Sequence, residues 1–315
     1  MAAAIVLASA ESYWRTRGYQ PTVLDSTLLW SSERDRVYGG GKTPLVLLGA
    51  SRIGFGADLQ TLRQALPKYE PVMLALNGRY PLATLRDLAE DRRFRGVVLC
   101  DLDSVGLLRE FFDMQASYVR YYHAQWTPSW KFHRWLLDGW QSAALIADPG
   151  FGAVNVARRI LDGTPPPSRS HLKFFADRNG ELDFSLSDPA AIKRHFADAL
   201  EGNIANMPKR SPDQFVKDLA PVRAWAEQIE SRGGRVIFYQ SPVKGLQRSA
   251  LERVLPREQY WDRFAKDVSA ALTGTDEPSL DQFPLPDDSH LDFRDKPAYT
   301  RALAEVLIAR GWIER

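Results

Sequence analysis

Several features that often announce a function are scarce in this sequence. With one cysteine, Cys100, in 315 residues, it can form neither an intrachain disulfide nor a cysteine-rich zinc site. Its five histidines show no pair at metal-ligand spacing, so no metal is expected. Charge of either sign is nearly cancelled, with 41 Lys and Arg against 39 Asp and Glu. A formal +2 offers no basic field for a polyanion, and nucleic acid is not an expected partner. The apolar run Ala2 to Ala10 has nine residues, well short of the roughly 20 that cross a bilayer. Its Ala8-Ser9-Ala10 ending looks like a signal-peptidase site, although a basic n-region and most of an apolar h-region are missing. Two readings stand side by side for it: a truncated membrane anchor or signal, and a short buried helix start.

What is present is an ordinary globular composition, 44% hydrophobic and 25% charged, which excludes disordered, collagenous and polytopic membrane classes. No internal repeat is visible. Pro44 to Leu48 is an apolar run bounded by Gly39-Gly40-Gly41 and Gly49, as a strand buried on both faces requires. Pro71 to Leu76 ends at Asn77-Gly78, and Gly96 to Cys100 ends at Asp101, in the same manner. Between these two runs, Leu82, Leu85, Leu88 and Ala89 recur at helical spacing. The alternation of strand and helix predicts a parallel sheet in an α/β fold. It resumes late in the chain, with Val222, Trp225 and Ile229 on one helix face before Gly233-Gly234 and a strand from Arg235 to Tyr239. A last helix begins near Ala298 and stops at Gly311.

Residues 107–209 interrupt the alternation and read as a helical insertion, with Pro165-Pro166-Pro167 in a loop. The stretch from Tyr118 to Trp140 concentrates rings, including four of the nine tryptophans: Trp126, Trp130, Trp135 and Trp140. Three readings remain open for it: the core of a helical cap, a groove whose flat rings hold sugar faces, or a lipid headgroup surface in which Arg120, Lys131 and Arg134 take part.

Two short motifs carry chemistry. Gly49-Ala50-Ser51-Arg52 follows the first strand, which places Ser51 at a strand-to-helix turn where unpaired N–H groups can face a developing oxyanion. Serine is also a favoured N-cap, so the position alone does not define a nucleophile. Asp287-Asp288-Ser289-His290 lies in a proline-bounded loop before the last helix. A neutral histidine can take a hydroxyl proton when a carboxylate fixes its ring tautomer, and an aspartate three residues earlier can do so within one turn. Two other patterns fail. Gly41-Lys42-Thr43 mimics the end of a phosphate-binding loop, yet Arg36 stands where the first glycine is required. The nucleophile elbow Gly-x-Ser-x-Gly fails because Ile53 holds the last glycine position.

Taken together, the GxS turn and the DxxH loop resemble the SGNH or GDSL hydrolase superfamily. The segments WRTRGYQPTVLDSTLLW (14–30), LLGASRIGF (47–55), LALNGRYPLATLRDLAEDRRFRGVV (74–98) and DDSHLDFRD (287–295) look like a bacterial membrane-anchored SGNH-like subfamily related to envelope polysaccharide O-acetylation proteins. The resemblance covers most of the chain apart from the insertion. It implies a flavodoxin-like three-layer sandwich with a mostly parallel sheet of about five strands. It also implies a Ser51-His290-Asp287 triad and oxyanion donors at the Ser51 and Gly78 amides, with Asn77 or Arg52 as supplements. Arg52, Trp126 and Trp130 are the expected substrate contacts.

The chemistry needs no cofactor. The implied function is a serine esterase or O-acyltransferase, of the O-acetyl kind, acting on an acylated carbohydrate or small ester at the periplasmic face of the cell envelope. A membrane acyltransferase is an expected partner. One departure weakens catalysis: the family's third block contributes an asparagine to the oxyanion site, and here Asp101-Leu102-Asp103-Ser104 stands in its place. The alternative is therefore a degenerate envelope protein that binds glycan or docks a membrane acyltransferase. Residues 1–38 are expected to be an N-terminal segment made of an anchor or signal and a linker, followed by an α/β domain over 39–315.

Overall fold

A computed structural model of the chain describes residues 1–315, apart from the side chains at positions 2–4, 149, 153, 160, 201 and 203. Two helices, α1 (Ala2–Arg15) and α2 (Thr27–Arg36), precede the first strand, β1 (Thr43–Leu48). Helices α3 (Ser51–Gly56) and α4 (Leu59–Ala65) lead to β2 (Tyr69–Met73), and α5 (Leu82–Glu90) leads to β3 (Val97–Asp101). The insertion carries α6 (Ala116–Gln125), α7 (Pro128–Ala143), α8 (Ala153–Leu161), a hairpin of β4 (Leu172–Phe174) and β5 (Gly180–Leu182), and α9 (Pro189–Ala205). Then α10 (Pro212–Asp218) and α11 (Ala220–Glu230) return the chain to β6 (Arg235–Gln240). After α12 (Gly245–Val254) and α13 (Trp261–Ala265) come β7 (Ala271–Thr273), α14 (Pro278–Asp281) and α15 (Lys296–Ala309).

The main sheet has five strands in the order β2-β1-β3-β6-β7, every neighbouring pair parallel, with helices on both faces. The fold is α/β, a flavodoxin-like three-layer sandwich. Strand β1 shows why its apolar run does not alternate with polar residues. Val46 and Leu48 face one layer with Trp30, Leu85 and Val222, while Leu45 and Leu47 face the other with Leu62 and Leu303. Both faces are dry from Leu45 to Leu48, so each of these positions needs an apolar side chain.

The chain passes from β1 outward to β2 and then back across β1 to β3. That reversal is a topological switch point, and the crevice beyond the carboxyl ends of β1 and β3 is where open parallel sheets place ligands. Residue 39 is too late a domain start, because α2 already belongs to the sandwich. Leu29 and Trp30 are fully buried, the Trp30 indole donates to the Leu74 carbonyl at 3.0 Å, and Arg34 pairs with Asp87 of α5 at 2.7 Å. Helix α1 packs on the insertion just after α7, where the Glu11 carboxylate accepts the N–H groups of Leu145 and Ile146. Among the described residues no helix is long and apolar enough to cross a membrane.

The insertion folds onto the sandwich instead of standing apart. Its β4 carbonyl at Phe174 accepts from the Val23 N–H at 2.9 Å, and the Leu182 carbonyl of β5 accepts from Phe293 N–H at 2.8 Å. Its ring-rich part divides in two. Tyr118 and Tyr122 meet Trp30 edge-on at 6.0 and 6.4 Å and complete the core over α2. Phe132, Trp135, Leu136 and Trp140 lie on the outward side of α7 and remain about half exposed or more.

Candidate active site

Ser51 is the first residue of α3, immediately after the β1 exit. The turn is built around Gly49, whose φ of +153° suits glycine and whose surroundings leave no room for a side chain. A Cβ there would stand 2.5 Å from the Ile53 side chain and 2.9 Å from the Asp101 carbonyl. The backbone can therefore swing close over β3 and present Ser51 at the sheet's carboxyl edge.

His290 reaches the same point from the other end of the chain. Its Nε2 is 2.7 Å from Ser51 Oγ, and its Nδ1 is 2.7 Å from Asp287 Oδ2. The second carboxylate oxygen, Asp287 Oδ1, accepts the backbone N–H groups of His290 at 2.7 Å and Ser289 at 3.0 Å. Asp288 bends the loop between them with φ +70°, a conformation aspartate tolerates better than most residues. Asp287 is buried, which by itself would raise its pKa. The hydrogen bond and charge of His290, with the two backbone donors, outweigh burial and hold the carboxyl below its usual value. An ionised Asp287 accepts the Nδ1 proton, so the Nε2 lone pair faces the serine hydroxyl.

The insertion buttresses this arrangement. Phe55 of α3 packs against the β4 and β5 hairpin, and its ring lies edge-on to His290 at 6.4 Å. Phe196 of α9 lies against His290 at 6.2 Å. The Asp292 carboxylate accepts the Phe184 N–H at 3.0 Å, and buried Lys296 donates to Asn179 at 2.9 Å and to the Gly180 carbonyl. The histidine loop is thus clamped from both sides. Asp288 ties the same loop to α9 through Lys193 at 2.8 Å.

The expected oxyanion donors sit at the two neighbouring turns. Ser51 N–H belongs to the first turn of α3, where amides have no acceptor within the helix. Asn77 and Gly78 form the exposed turn after β2, closed by Arg79 N–H on the Leu76 carbonyl at 3.0 Å, with Gly78 at φ +69°. One fully buried side chain that the motifs did not reveal, Gln115, links these turns. Its amide donates to the Gly49 carbonyl at 3.1 Å and to the Arg79 carbonyl at 3.0 Å, while its oxygen accepts from Thr84. No local pattern marks such a residue, because all three partners are distant in sequence.

The carboxylates at and just after the end of β3 are both tied. Asp101 accepts the Ser241 N–H at 3.0 Å and fixes β3 to the end of β6, and burial pushes its pKa up. Asp103 accepts the N–H groups of Val105 and Gly106, each at 3.1 Å, and pairs with Arg52 through its other oxygen. Burial opposes the Arg52 charge, yet Asp103 and then Asp101 outweigh it and push its pKa up, so Arg52 stays a cation. Its Nη1 is covered and has no hydrogen-bond partner.

Trp126 and Trp130 do not come to this place. They belong to the α6 and α7 layer, which packs on α2 and is held there by Lys131 on Asp35 at 2.6 Å. Neither ring lines the cavity beside Arg52. The expectation of sugar contacts rested on ring density in the sequence, whereas the rings next to His290 are Phe55 and Phe196. Among the described residues no three His, Cys, Asp or Glu side chains converge as metal ligands. Comparison of the chain with known protein families, curated proteins and solved structures gives no match in any of the three.

Proposed function

We propose that the protein is a serine esterase or O-acyltransferase that works through Ser51, His290 and Asp287. The observation that carries this reading is the continuous chain of two 2.7 Å contacts from Ser51 Oγ through the His290 ring to Asp287, placed at the switch point of the sheet. In the first step His290 Nε2 removes the Ser51 proton as Oγ attacks an ester carbonyl, and the carbonyl oxygen becomes the oxyanion. The C–O bond to the leaving alcohol then breaks and His290 returns the proton to that alcohol, which leaves an acyl-serine. A second hydroxyl repeats the sequence in reverse: water yields the free acid, and a sugar hydroxyl yields an acylated sugar. The likeness of the motif segments to envelope O-acetylation proteins supports a carbohydrate substrate, a periplasmic setting and a membrane acyltransferase as partner.

A second reading is favoured by one observation: the stretch Asp101-Leu102-Asp103-Ser104 holds no asparagine where the resemblance implies an oxyanion donor, and its Asp103 is tied up with Arg52. Losing one oxyanion donor costs ~10²-fold or more in rate, which would suit a protein that only binds glycan or docks a partner. The two readings separate when an activated acyl ester is incubated with and without an oligosaccharide and the products are followed by mass spectrometry. The expected result is free acid without acceptor and acylated oligosaccharide with it. Turnover no faster than the uncatalysed background for every ester supports the binding role instead.

A further inference from the structure

Beside the triad lies a cavity of about 220 Å³ between the insertion helix α9 and the later helix α12. Its polar groups are Arg52, the residue that follows Ser51 in α3, with Tyr80, Asp103 and Gln247. The rest is hydrocarbon, chiefly Leu200 and Ile204 from α9 and Leu251 and Val254 from α12. Phe196 closes it against the His290 ring. Two features of this space ask for a ligand with one acceptor oxygen and an alkyl tail. Arg52 sets a guanidinium, held in place by Asp103, at the polar end, where an acceptor oxygen of a ligand suits its charge. On the opposite walls Gln247 is the one polar side chain among the lining residues, fewer partners than an ordered water needs, so an apolar chain fits there better than solvent.

We propose that this cavity receives the acyl chain of the ester, and that the chain it fits has about six carbons. The inference rests on the serine-esterase reading given above. Size decides between an acetyl group and a longer one. At roughly 30 Å³ for each water-sized group the cavity holds about seven of them, the number of non-hydrogen atoms in a hexanoyl group. An acetyl group has about three and would leave more than half of the space empty. A fully buried methylene is worth about fourfold in equilibrium. Four further methylenes should therefore favour hexanoyl over acetyl esters by at least tenfold in kcat/KM, after allowance for the solvent-exposed rim at Ala199.

The experiment measures kcat/KM for p-nitrophenyl esters from acetyl to dodecanoyl with the whole chain. The expected profile peaks near hexanoyl and falls by dodecanoyl, which exceeds the cavity. Ala250→Phe on α12 fills the space from one side, and Ala199→Phe fills it from the α9 rim if the first variant does not fold. Either should lower the hexanoyl-to-acetyl ratio at least tenfold. A flat profile, a preference for acetyl, or a ratio unchanged by both filling variants overturns the proposal. Calorimetric titration of Ser51→Ala with methyl hexanoate and methyl acetate separates the two layers of the argument. Hexanoate ester binding that Ala250→Phe abolishes upholds the cavity assignment even where no ester is turned over. Absence of such binding together with turnover of acetyl esters rejects the cavity and leaves the esterase reading intact.

Discussion

Replacing Ser51 with alanine is expected to lower ester turnover by ~10⁵-fold and to change folding stability by no more than about 1 kcal/mol. The size of the first effect follows from the covalent route. Without Oγ no acyl-serine forms, and only the oxyanion amides and substrate positioning remain to help water attack directly. The small size of the second follows from the contacts, since the Ser51 hydroxyl hydrogen-bonds to His290 and the turn itself is held by Gly49, Gln115 and the α3 backbone. Steady-state turnover of a chromogenic ester and a urea titration of both proteins check the two halves. A variant that keeps more than about a hundredth of the activity would show that another group attacks the carbonyl.

Asp287→Asn should cost ~10⁴-fold in kcat, as the equivalent change does in the serine protease template, while Asp288→Asn should cost less than about tenfold. An asparagine can still accept the N–H groups of Ser289 and His290 with its carbonyl oxygen, so the loop should keep its shape. Its amide N–H₂ then faces Nδ1 and forces that nitrogen to accept. The ring proton moves to Nε2, and the lone pair that should take the Ser51 proton is lost. Asp288 makes its ion pair with Lys193 instead, and asparagine adopts its positive φ as readily. The same carboxylate links stability to pH. Its folded value lies below the unfolded one near 3.8, so its contribution is present at neutral pH and is lost as pH falls through the folded value. Equal losses of kcat at Asp287 and Asp288 would contradict the assignment of the orienting carboxylate.

Four of the five strands of the sheet are readable as apolar runs, because a strand covered on both faces carries apolar residues along its buried middle and keeps polar ones such as Thr43, Arg235 and Gln240 to its ends. Strand β7, Ala271–Thr273, gives no such signal: three residues on an edge carry too little pattern. The grouping of Ser51 with His290 and Asp287 is an expectation that comes from the resemblance of the two motifs to the SGNH or GDSL superfamily, since neither motif defines a nucleophile or a base by itself. Its supports could not be anticipated. Gln115, Phe55, Phe196 and the hairpin clamp act through contacts between residues far apart in sequence, with no local spacing to betray them. Ring density does not say where Trp126 and Trp130 lie, since a run of aromatics reports a need for burial or an exposed face without saying which element it meets. The part that α2 takes in the sandwich is hard to read for a related reason. Helix α2 carries Ser31, Glu33 and Arg34 at buried positions, and their ion pairs and hydrogen bonds hide its core role from a reading based on hydrophobicity.

The central claim is that Ser51 is an activated nucleophile, and covalent labelling tests it without knowledge of the natural ester. A fluorophosphonate should add once to the intact protein, with the adduct mapped to the peptide containing Ser51. The adduct should be absent from Ser51→Ala and formed far more slowly in His290→Ala. No adduct on the wild-type protein, or an adduct that persists at the same rate in Ser51→Ala, would contradict the account.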